Sequence, residues 1–397
     1  MIKSILKKSL ILSLVLISFF TGSLKLFKPQ ENVVFADSLN NFNLDVKAYY
    51  LMDFNTGKTL IGKNEEQRLE VASMVKLMTT LLTIEKIERN EWDLDTKLIV
   101  SDYAASMEGS QAFLDAGYEY KLDDLLKSII MASANDSCVV VAENMCGSEQ
   151  DFVSLMNEKA EELAMTNTLY ANSTGLPATM QYSCAKDIAL ILKEVFKHDI
   201  YHKYATIWMD KLVHESGRET ELVNTNRLIR YYPGCDSGKT GFTDEAGYCL
   251  SASASKNGMR LISVVMGAKS SVDRFENSTK LLNYGFNNYE NKKVVDSTLC
   301  LQDNLKVKGI KDEIECKPEK DMFLLTKRGD KLKKYETKVV FDKKIMSPIK
   351  QNDSVGKIYL IEDGIVVDEC NILSNKDYNK ITYFDSLRQI IDNFRIV

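Results

Sequence analysis

Apolar residues recur along this chain with two different periods, and the change from one period to the other divides it. From Ser73 the residues Met74, Leu77, Met78, Leu81, Leu82, Ile84 and Ile87 fall at helical spacing as far as about Asn90. The same spacing predicts helices over Leu122–Ala132, Asp136–Cys146, Asp151–Ala164, Ala185–Phe196 and Val272–Tyr284. Between the helices lie strand-like runs. Ala48–Asp53 and Thr59–Gly62 flank Asn55-Thr56-Gly57, and Gly247–Ser255 and Arg260–Gly267 flank Lys256-Asn257-Gly258. Both pairs read as hairpins, the second strongly, because an Asn-Gly pair suits a turn with φ > 0.

Beyond about Asn291 the helical spacing stops. Short alternating segments take over at Lys293–Leu301, Phe323–Thr326, Lys338–Phe341, Lys357–Ile361 and Ile365–Glu369, which predicts a separate β domain. The last stretch, Ile381–Val397, turns helical again, with Phe384, Leu387, Ile391 and Phe394 on one stripe. At the other end, Lys3, Lys7 and Lys8 precede the apolar run Leu10–Phe20, and Val34-Phe35-Ala36 offers a small-residue cleavage site before Asp37. The expected organisation is therefore an export signal over 1–36, a mixed α/β domain over 37–290, a β domain over 291–376 and an amphipathic helix over 377–397. The alternative at the N-terminus is an uncleaved anchor, because the stretch from Phe20 to Ala36 is long for a compact signal.

Composition changes this picture only at the margins. The 397 residues are 45% hydrophobic and 27% charged, as in folded globular proteins, and long enough for two domains. A net charge of −5 argues against nucleic acid as a partner, and loss of residues 1–36 would make the chain more acidic still. Eight cysteines in an exported protein suggest disulfides, but Cys138, Cys146, Cys184, Cys235, Cys249, Cys300, Cys316 and Cys370 are scattered, mostly in apolar stretches. Buried free thiols are the expectation. His198 and His202 could share a helical face, yet no third ligand lies nearby, so they are expected on a solvated face, with no metal and no cofactor.

The chemistry begins at Ser73-Met74-Val75-Lys76, where residues three apart in a helix set an amine beside a hydroxyl. An amine acts as a base only when neutral, which at pH 7 asks for a downward shift of roughly 3 units in lysine's pKa, about 4 to 5 kcal/mol. Burial and a second cation can supply it. Alone the motif is weak, since a capping serine and a surface lysine produce it by chance. Ser133-Ala134-Asn135 then fits an S-x-N element between two predicted helices, and Lys239-Thr240-Gly241 precedes the hairpin that begins at Gly247. The ordered set S-x-x-K, S-x-N, K-T-G makes coincidence improbable.

With these elements in place the chain resembles the serine D-Ala-D-Ala carboxypeptidases, the low-molecular-weight penicillin-binding proteins. The resemblance also takes in Leu51-Met52-Asp53 with Thr56-Gly57, Ala171-Asn172-Ser173-Thr174-Gly175-Leu176-Pro177, and Gly238 through Thr243 with Ala246-Gly247-Tyr248. In the β segment, Ser347-Pro348-Ile349 and Val355-Gly356 resemble the family's C-terminal domain. The resemblance implies a β-lactamase/DD-peptidase-like catalytic domain, a sheet flanked by helices plus a helical subdomain, followed by a small β-sandwich. It implies Ser73 as nucleophile, Lys76 as general base, Ser133 as proton relay, and Asn135, Lys239, Thr240 and Gly241 as substrate-binding residues. The N–H groups of Ser73 and Phe242 would form an oxyanion hole. The implied substrate is a peptidoglycan stem peptide ending in D-Ala-D-Ala, and β-lactams would be covalent inhibitors. Such proteins often end in a helix lying on the outer face of the cytoplasmic membrane, which Ile381–Val397 would supply.

Some positions depart from the family pattern. Val71 stands where proline is common, Val75 where threonine is frequent, and Ser237-Gly238 where Gly-Leu is expected, which would loosen the approach to the strand. Rival readings carry less. A P-loop around Gly234 and Gly238-Lys239-Thr240 would need a glycine at Pro233 and a following helix. No G-x-S-x-G elbow is present, and the E-x-x-L-N element expected of a one-domain β-lactamase is missing. The remaining alternative is a catalytically silent wall-binding or β-lactam-sensing protein of the same fold.

Overall fold

The computed structural model describes residues 42–301, 305–310, 312–330, 334–342, 344–384 and 387. The expected export signal at 1–36 lies outside the described residues, as does most of the C-terminal stripe.

The chain opens with the hairpin β1 (Ala48–Asp53) and β2 (Thr59–Lys63). A 3-10 turn over Ala72–Val75 leads straight into α1 (Lys76–Glu88). There follow β3 (Lys97–Ile99), α2 (Asp102–Ala105), β4 (Glu119–Lys121), α3 (Leu122–Met131), α4 (Asn135–Cys146), α5 (Glu149–Glu162), α6 (Ala185–Val195) and α7 (Asp199–Ala205). Next come the hairpin β5 (Met209–Val213) and β6 (Glu219–Val223), the single turn α8 (Leu228–Tyr231), and strands β7 (Cys235–Thr243), β8 (Gly247–Lys256) and β9 (Met259–Ala268). The long helix α9 (Ser271–Asn288) closes this part.

The central sheet is antiparallel with strand order β2-β1-β9-β8-β7, so that β1 and β7, distant in sequence, come together through β9 and β8. Helices cover both faces. Tyr50, Met52, Ile262, Val264 and Met266 enter the core formed with α1, α3, α4 and α6. On the opposite face Gly285 of α9 lies so close to Leu261 and Leu51 that an added Cβ would sit 2.4 Å from Leu261 Cδ1. Burial on both faces explains why β1 is buried at every position rather than alternating. The turn joining β8 to β9 has both Asn257 and Gly258 at positive φ, as its Asn-Gly pair predicts. β7 is an edge strand, and its outer edge runs past the 3-10 turn that carries Ser73.

After α9 the chain passes directly into β10 (Tyr289–Val295), then β11 (Cys316–Pro318), β12 (Met322–Lys327), β13 (Tyr335–Phe341), β14 (Ser354–Glu362) and β15 (Ile365–Ser374). These form a four-stranded sheet, β11-β15-β14-β13, and the pair β10-β12 around a separate core that includes Ile314, Met322, Leu324, Ile358, Leu360 and Ile372. Two polar contacts join this layer to the first hairpin: Asn291 Nδ2 donates to Asp53 Oδ1 at 2.6 Å, and Lys58 pairs with Glu362 at 3.2 Å.

Three local expectations change. Lys239-Thr240-Gly241 lies inside a nine-residue strand, not ahead of one, because Gly238 with φ +142° brings the backbone within reach of Ser251 O, where a Cβ would stand at 2.2 Å. That close fit also means Ser237-Gly238 tightens the strand pair instead of loosening it. His198 and His202 do not share a solvated face: His198 is the residue before α7 and bonds Glu88 at 2.9 Å, while His202 Nε2 donates to Phe196 O at 2.8 Å and the ring packs edge-on against that of Phe196. All eight thiols are free; six are buried, Cys146 is half-buried and Cys300 is exposed.

Candidate active site

Ser73 sits in the 3-10 turn just ahead of α1, and Lys76 is the first residue of that helix. The three-residue spacing brings Lys76 Nζ to 2.9 Å from Ser73 Oγ. Lys76 is completely buried, and burial pulls its pKa down to about 8 against the opposing influence of Cys138 and Asp136. Its second acceptor is the carbonyl of Thr174.

Thr174 belongs to the Asn172–Pro177 run, which the sequence flagged by resemblance without a role. Asn172 Oδ1 accepts from the N–H groups of Thr174 at 3.2 Å and Gly175 at 2.7 Å, and Glu149 Oε1 accepts from Ser173 N at 2.9 Å. This tied loop presses Gly175 (φ +85°) against the backbone just ahead of Ser73, so that a Cβ there would stand 2.0 Å from Ala72 O and 2.9 Å from Ser73 N. Ala72, immediately before Ser73, is itself held at φ +47°. Strain of this kind persists only where the surroundings enforce it. Gly175→Ala is therefore expected to displace the 72–73 peptide and slow acylation of Ser73 by penicillin about 100-fold or more, as misplacements near 1 Å do. Stopped labelling assays at matched fold content, checked by circular dichroism, measure it, and an unchanged labelling rate would refute the steric argument.

A second lysine–serine pair faces the first. Ser133, at φ +65° in the link between α3 and α4, accepts from Lys239 Nζ at 2.7 Å. Lys239 is buried, and burial together with repulsion from Lys76 and Arg274 drives its pKa well below the usual lysine range. Asn135 opens α4; its Nδ2 donates to Glu108 O and its N–H to Ser110 O at 2.7 Å, which leaves the buried Oδ1 without a partner. Asp136 Oδ1 and Oδ2 accept from Ala112 N at 3.0 Å and Leu114 N at 3.1 Å, fixing the same 108–115 segment.

The strand β7 brings the third element in. Gly241 approaches the turn so closely that a Cβ would lie 2.6 Å from Val71 O and 3.3 Å from Ser73 N, so a glycine is required there. Backbone parity places Phe242 N–H. Lys239 O faces β8, where Ser251 Oγ donates to it, whereas Gly238 N–H donates outward to Tyr201 OH and Thr240 O accepts from Lys239 Nζ. Residues 238, 240 and 242 therefore turn their polar groups toward the outer edge, and Phe242 N–H points to the same side as the turn bearing Ser73. The Phe242 ring is half exposed and stacks on Tyr248 with centroids 4.3 Å apart. Thr240 Oγ1 pairs with Thr225 Oγ1 at 2.8 Å, and Arg274 Nη1 donates to Gly241 O at 3.2 Å. Thr225, Thr174 and Arg274 were not marked by sequence reasoning; only Thr174 lay in a run that could have signalled it. Val71 and Val75 are buried in the core, so neither departure from the family pattern leaves a gap.

All eight residues named from the sequence thus converge on one cleft between β7, the 3-10 turn and the α3–α4 link. Among the described residues no cluster of three metal-ligating side chains occurs.

Comparison with known proteins agrees with this geometry. Residues 35–270 match the family described as D-alanyl-D-alanine carboxypeptidase, and residues 289–380 match the C-terminal domain of penicillin-binding protein 5. The D-alanyl-D-alanine carboxypeptidase DacF of Bacillus subtilis is 37% identical over 350 residues, 88% of this chain and 90% of that protein. DacA of Escherichia coli K12 is 30% identical over 361 residues, 89% of this chain and 88% of its own length. The crystal structure of penicillin binding protein 5 from Haemophilus influenzae aligns with a TM-score of 0.67 at 28% identity, covering 85% of this chain and 99% of that one. With the family match spanning more than half of the sequence and relatives aligned over nearly all of it, the chain belongs to the D-alanyl-D-alanine carboxypeptidase family.

Proposed function

We propose that this protein removes the terminal D-alanine from peptidoglycan stem peptides through an acyl-enzyme on Ser73. The observation that carries the reading is the pair of buried lysine–serine contacts, Lys76 with Ser73 and Lys239 with Ser133, on either side of one cleft. Ser73 Oγ attacks the carbonyl carbon between the two D-alanines and passes its proton to neutral Lys76. The negative oxygen of the tetrahedral intermediate is received by Ser73 N–H and Phe242 N–H. Collapse breaks the C–N bond, and the departing amine takes its proton by way of Ser133. Water then attacks the ester and frees Ser73. The orphaned Asn135 Oδ1 suits a substrate amide N–H, which would satisfy it.

Lys239 and Thr240, with Thr225 beside them, form the carboxylate end of the cleft. Burial first, and then the neighbouring Lys76, hold the pKa of Lys239 well below the usual lysine range. A bound carboxylate supplies a balancing negative charge, so Lys239 takes up a proton as substrate binds. β-Lactams carry an equivalent carboxylate and acylate Ser73. The test is to follow labelled-penicillin acylation and D-alanine release from a D-Ala-D-Ala peptide in parallel. Both are expected; acylation without release would mean a β-lactam sensor and overturn the carboxypeptidase reading.

The substrate places the enzyme outside the cytoplasm, at the wall or the outer membrane face. No helix among the described residues is long and apolar enough to cross a membrane. The C-terminal segment fits a peripheral anchor: Tyr383 and Phe384 are 77% and 78% exposed, so neither packs on the β domain. Tyr378, by contrast, is buried in the β core and accepts from Glu315 N at 2.7 Å, so a truncation that spares this core must start after Thr382. Residues 37–397 are expected to co-sediment with anionic liposomes and residues 37–382 are not, with peptidase activity equal in solution. Failure of the longer form to co-sediment would remove the anchor.

A further inference from the structure

The hairpin β5–β6 carries a buried histidine that the reaction does not use. His214 Nδ1 lies 2.7 Å from Tyr120 OH and 3.2 Å from Arg218 Nη2, and His214 Nε2 lies 2.8 Å from Thr220 Oγ1. A guanidinium can only donate, so Nδ1 holds a lone pair and the ring is the neutral tautomer with its proton on Nε2, donated to Thr220. Tyr120 O–H then donates to Nδ1. The cluster grips one chain segment: Arg218 Nη2 also donates to Phe113 O at 2.6 Å and to Asp115 Oδ1 at 2.9 Å, and Asp115 N–H donates to Tyr120 OH at 3.2 Å. This is the segment whose Glu108 O and Ser110 O hold Asn135 and whose Ala112 and Leu114 N–H groups hold Asp136. Phe113 within it sits at φ +59° with its ring exposed, a conformation that needs such a clamp.

We propose that His214 is a positioning residue and a pH-sensitive latch: neutral, it locks the 108–118 segment that forms the Asn135 wall of the cleft, and on taking a proton it releases that wall. Protonation converts Nδ1 from acceptor to donor and sets it against the Arg218 guanidinium at 3.2 Å, while the Tyr120 hydroxyl must turn its proton to Asp115 Oδ2, 3.2 Å away, and become an acceptor. The charged and titratable groups facing the ring are Arg218 on the hairpin, Asp115 and Tyr120 on the clamped segment and β4, and Asp136 on α4. Burial and Arg218 lower the histidine's pKa, while Asp115 (Oδ2 at 3.4 Å) and Asp136 oppose them. The sign follows. A folded-state pKa below the ordinary value of about 6.5 means that the latch is fully effective at pH 6.5 and above and is lost only as pH falls through that lowered value.

The activity arm of a test rests on the proposed peptidase reaction, but amide exchange does not, so the two readings fail separately. In residues 37–397, exchange protection of the Ala112 and Leu114 amides, corrected for intrinsic rates, is expected to drop at least threefold between pH 7.5 and 4.5. In His214→Asn, which keeps an acceptor near Nδ1 and cannot be protonated, protection is expected to change less than twofold over that range. The penicillin acylation rate should fall more steeply than tenfold per pH unit below pH 6.5 in the wild type and no more than tenfold in the variant. Arg218→Gln, which removes the opposing cation, should move the wild-type drop to higher pH. Protection that stays flat in the wild type, or that drops equally in His214→Asn, overturns the latch. The wild-type exchange series decides the matter even if a variant fails to fold.

Discussion

Ser73→Ala is expected to eliminate both covalent penicillin labelling and D-alanine release, a loss of more than about 10⁴-fold, while the fold survives. The scale follows from the chemistry: without an oxygen nucleophile no acyl-enzyme forms, and only the binding and oxyanion contributions remain. The structural cost is small because Ser73 caps nothing. The 3-10 turn has no side-chain cap, and the hydroxyl's partner in the turn is Lys76, which retains the Thr174 carbonyl as acceptor when the hydroxyl is gone. The loss of one such contact at a half-buried position is worth about 1 kcal/mol or less. Thermal unfolding should therefore shift by only a few degrees while labelling vanishes. Labelling at the wild-type level would show that another residue is acylated and would end the assignment of Ser73.

What the sequence made legible and what it did not follow from the range over which each signal acts. The helix from Lys76, the Asn257-Gly258 turn and the three chemical elements are local, written in consecutive residues; the structure has the helix and the turn where the patterns put them, and sets Lys239-Thr240-Gly241 within a strand instead of ahead of one. The contacts that assemble the cleft are not local. Thr174 meets Lys76 across 98 residues, and Ser133 meets Lys239 across 106. Nothing in the periodicity around Asn172 announces a carbonyl aimed at an ammonium; what does mark it is the glycine at 175, which a neighbouring backbone leaves no room to replace. The hairpin β5–β6 escaped notice because its alternation is carried by Leu212, Thr220 and Leu222 among charged residues, too few apolar positions to stand out. The strand containing Lys239-Thr240-Gly241 escaped because two glycines depress its apparent strand propensity; tertiary contact with Ser251 and with the Ser73 turn overrides that preference.

The same nonlocal assembly decides what each lysine can do, and exchanging each for arginine separates them. Lys76→Arg is expected to reduce acylation by about 10³-fold or more, because a general base worth 10² to 10⁴ is replaced by a group that stays protonated and must also fit a fully buried site. Lys239→Arg keeps the charge that a bound carboxylate requires and changes only its geometry, so a loss of about 10- to 100-fold is expected. The wild-type pH profile carries the same information. With the pKa of Lys76 near 8, the acylation rate should rise with pH as the neutral fraction grows, reach half its limit near pH 8, and fall tenfold per unit on the acid side until the His214 latch steepens it. The sign for stability runs with it. A lysine whose pKa is lowered on folding opposes folding wherever the unfolded chain holds its proton, by about 3 kcal/mol once the pH lies below 8, and this cost disappears as pH rises past 10.5. Lys76→Met should thus be inactive yet no less stable than the wild type at pH 7, since the cost of the buried amine is removed while one carbonyl loses its donor. Equal losses of acylation in Lys76→Arg and Lys239→Arg, or a wild-type acylation rate that does not change between pH 7 and 9, would contradict the assignment of the base to Lys76 and of the carboxylate contact to Lys239.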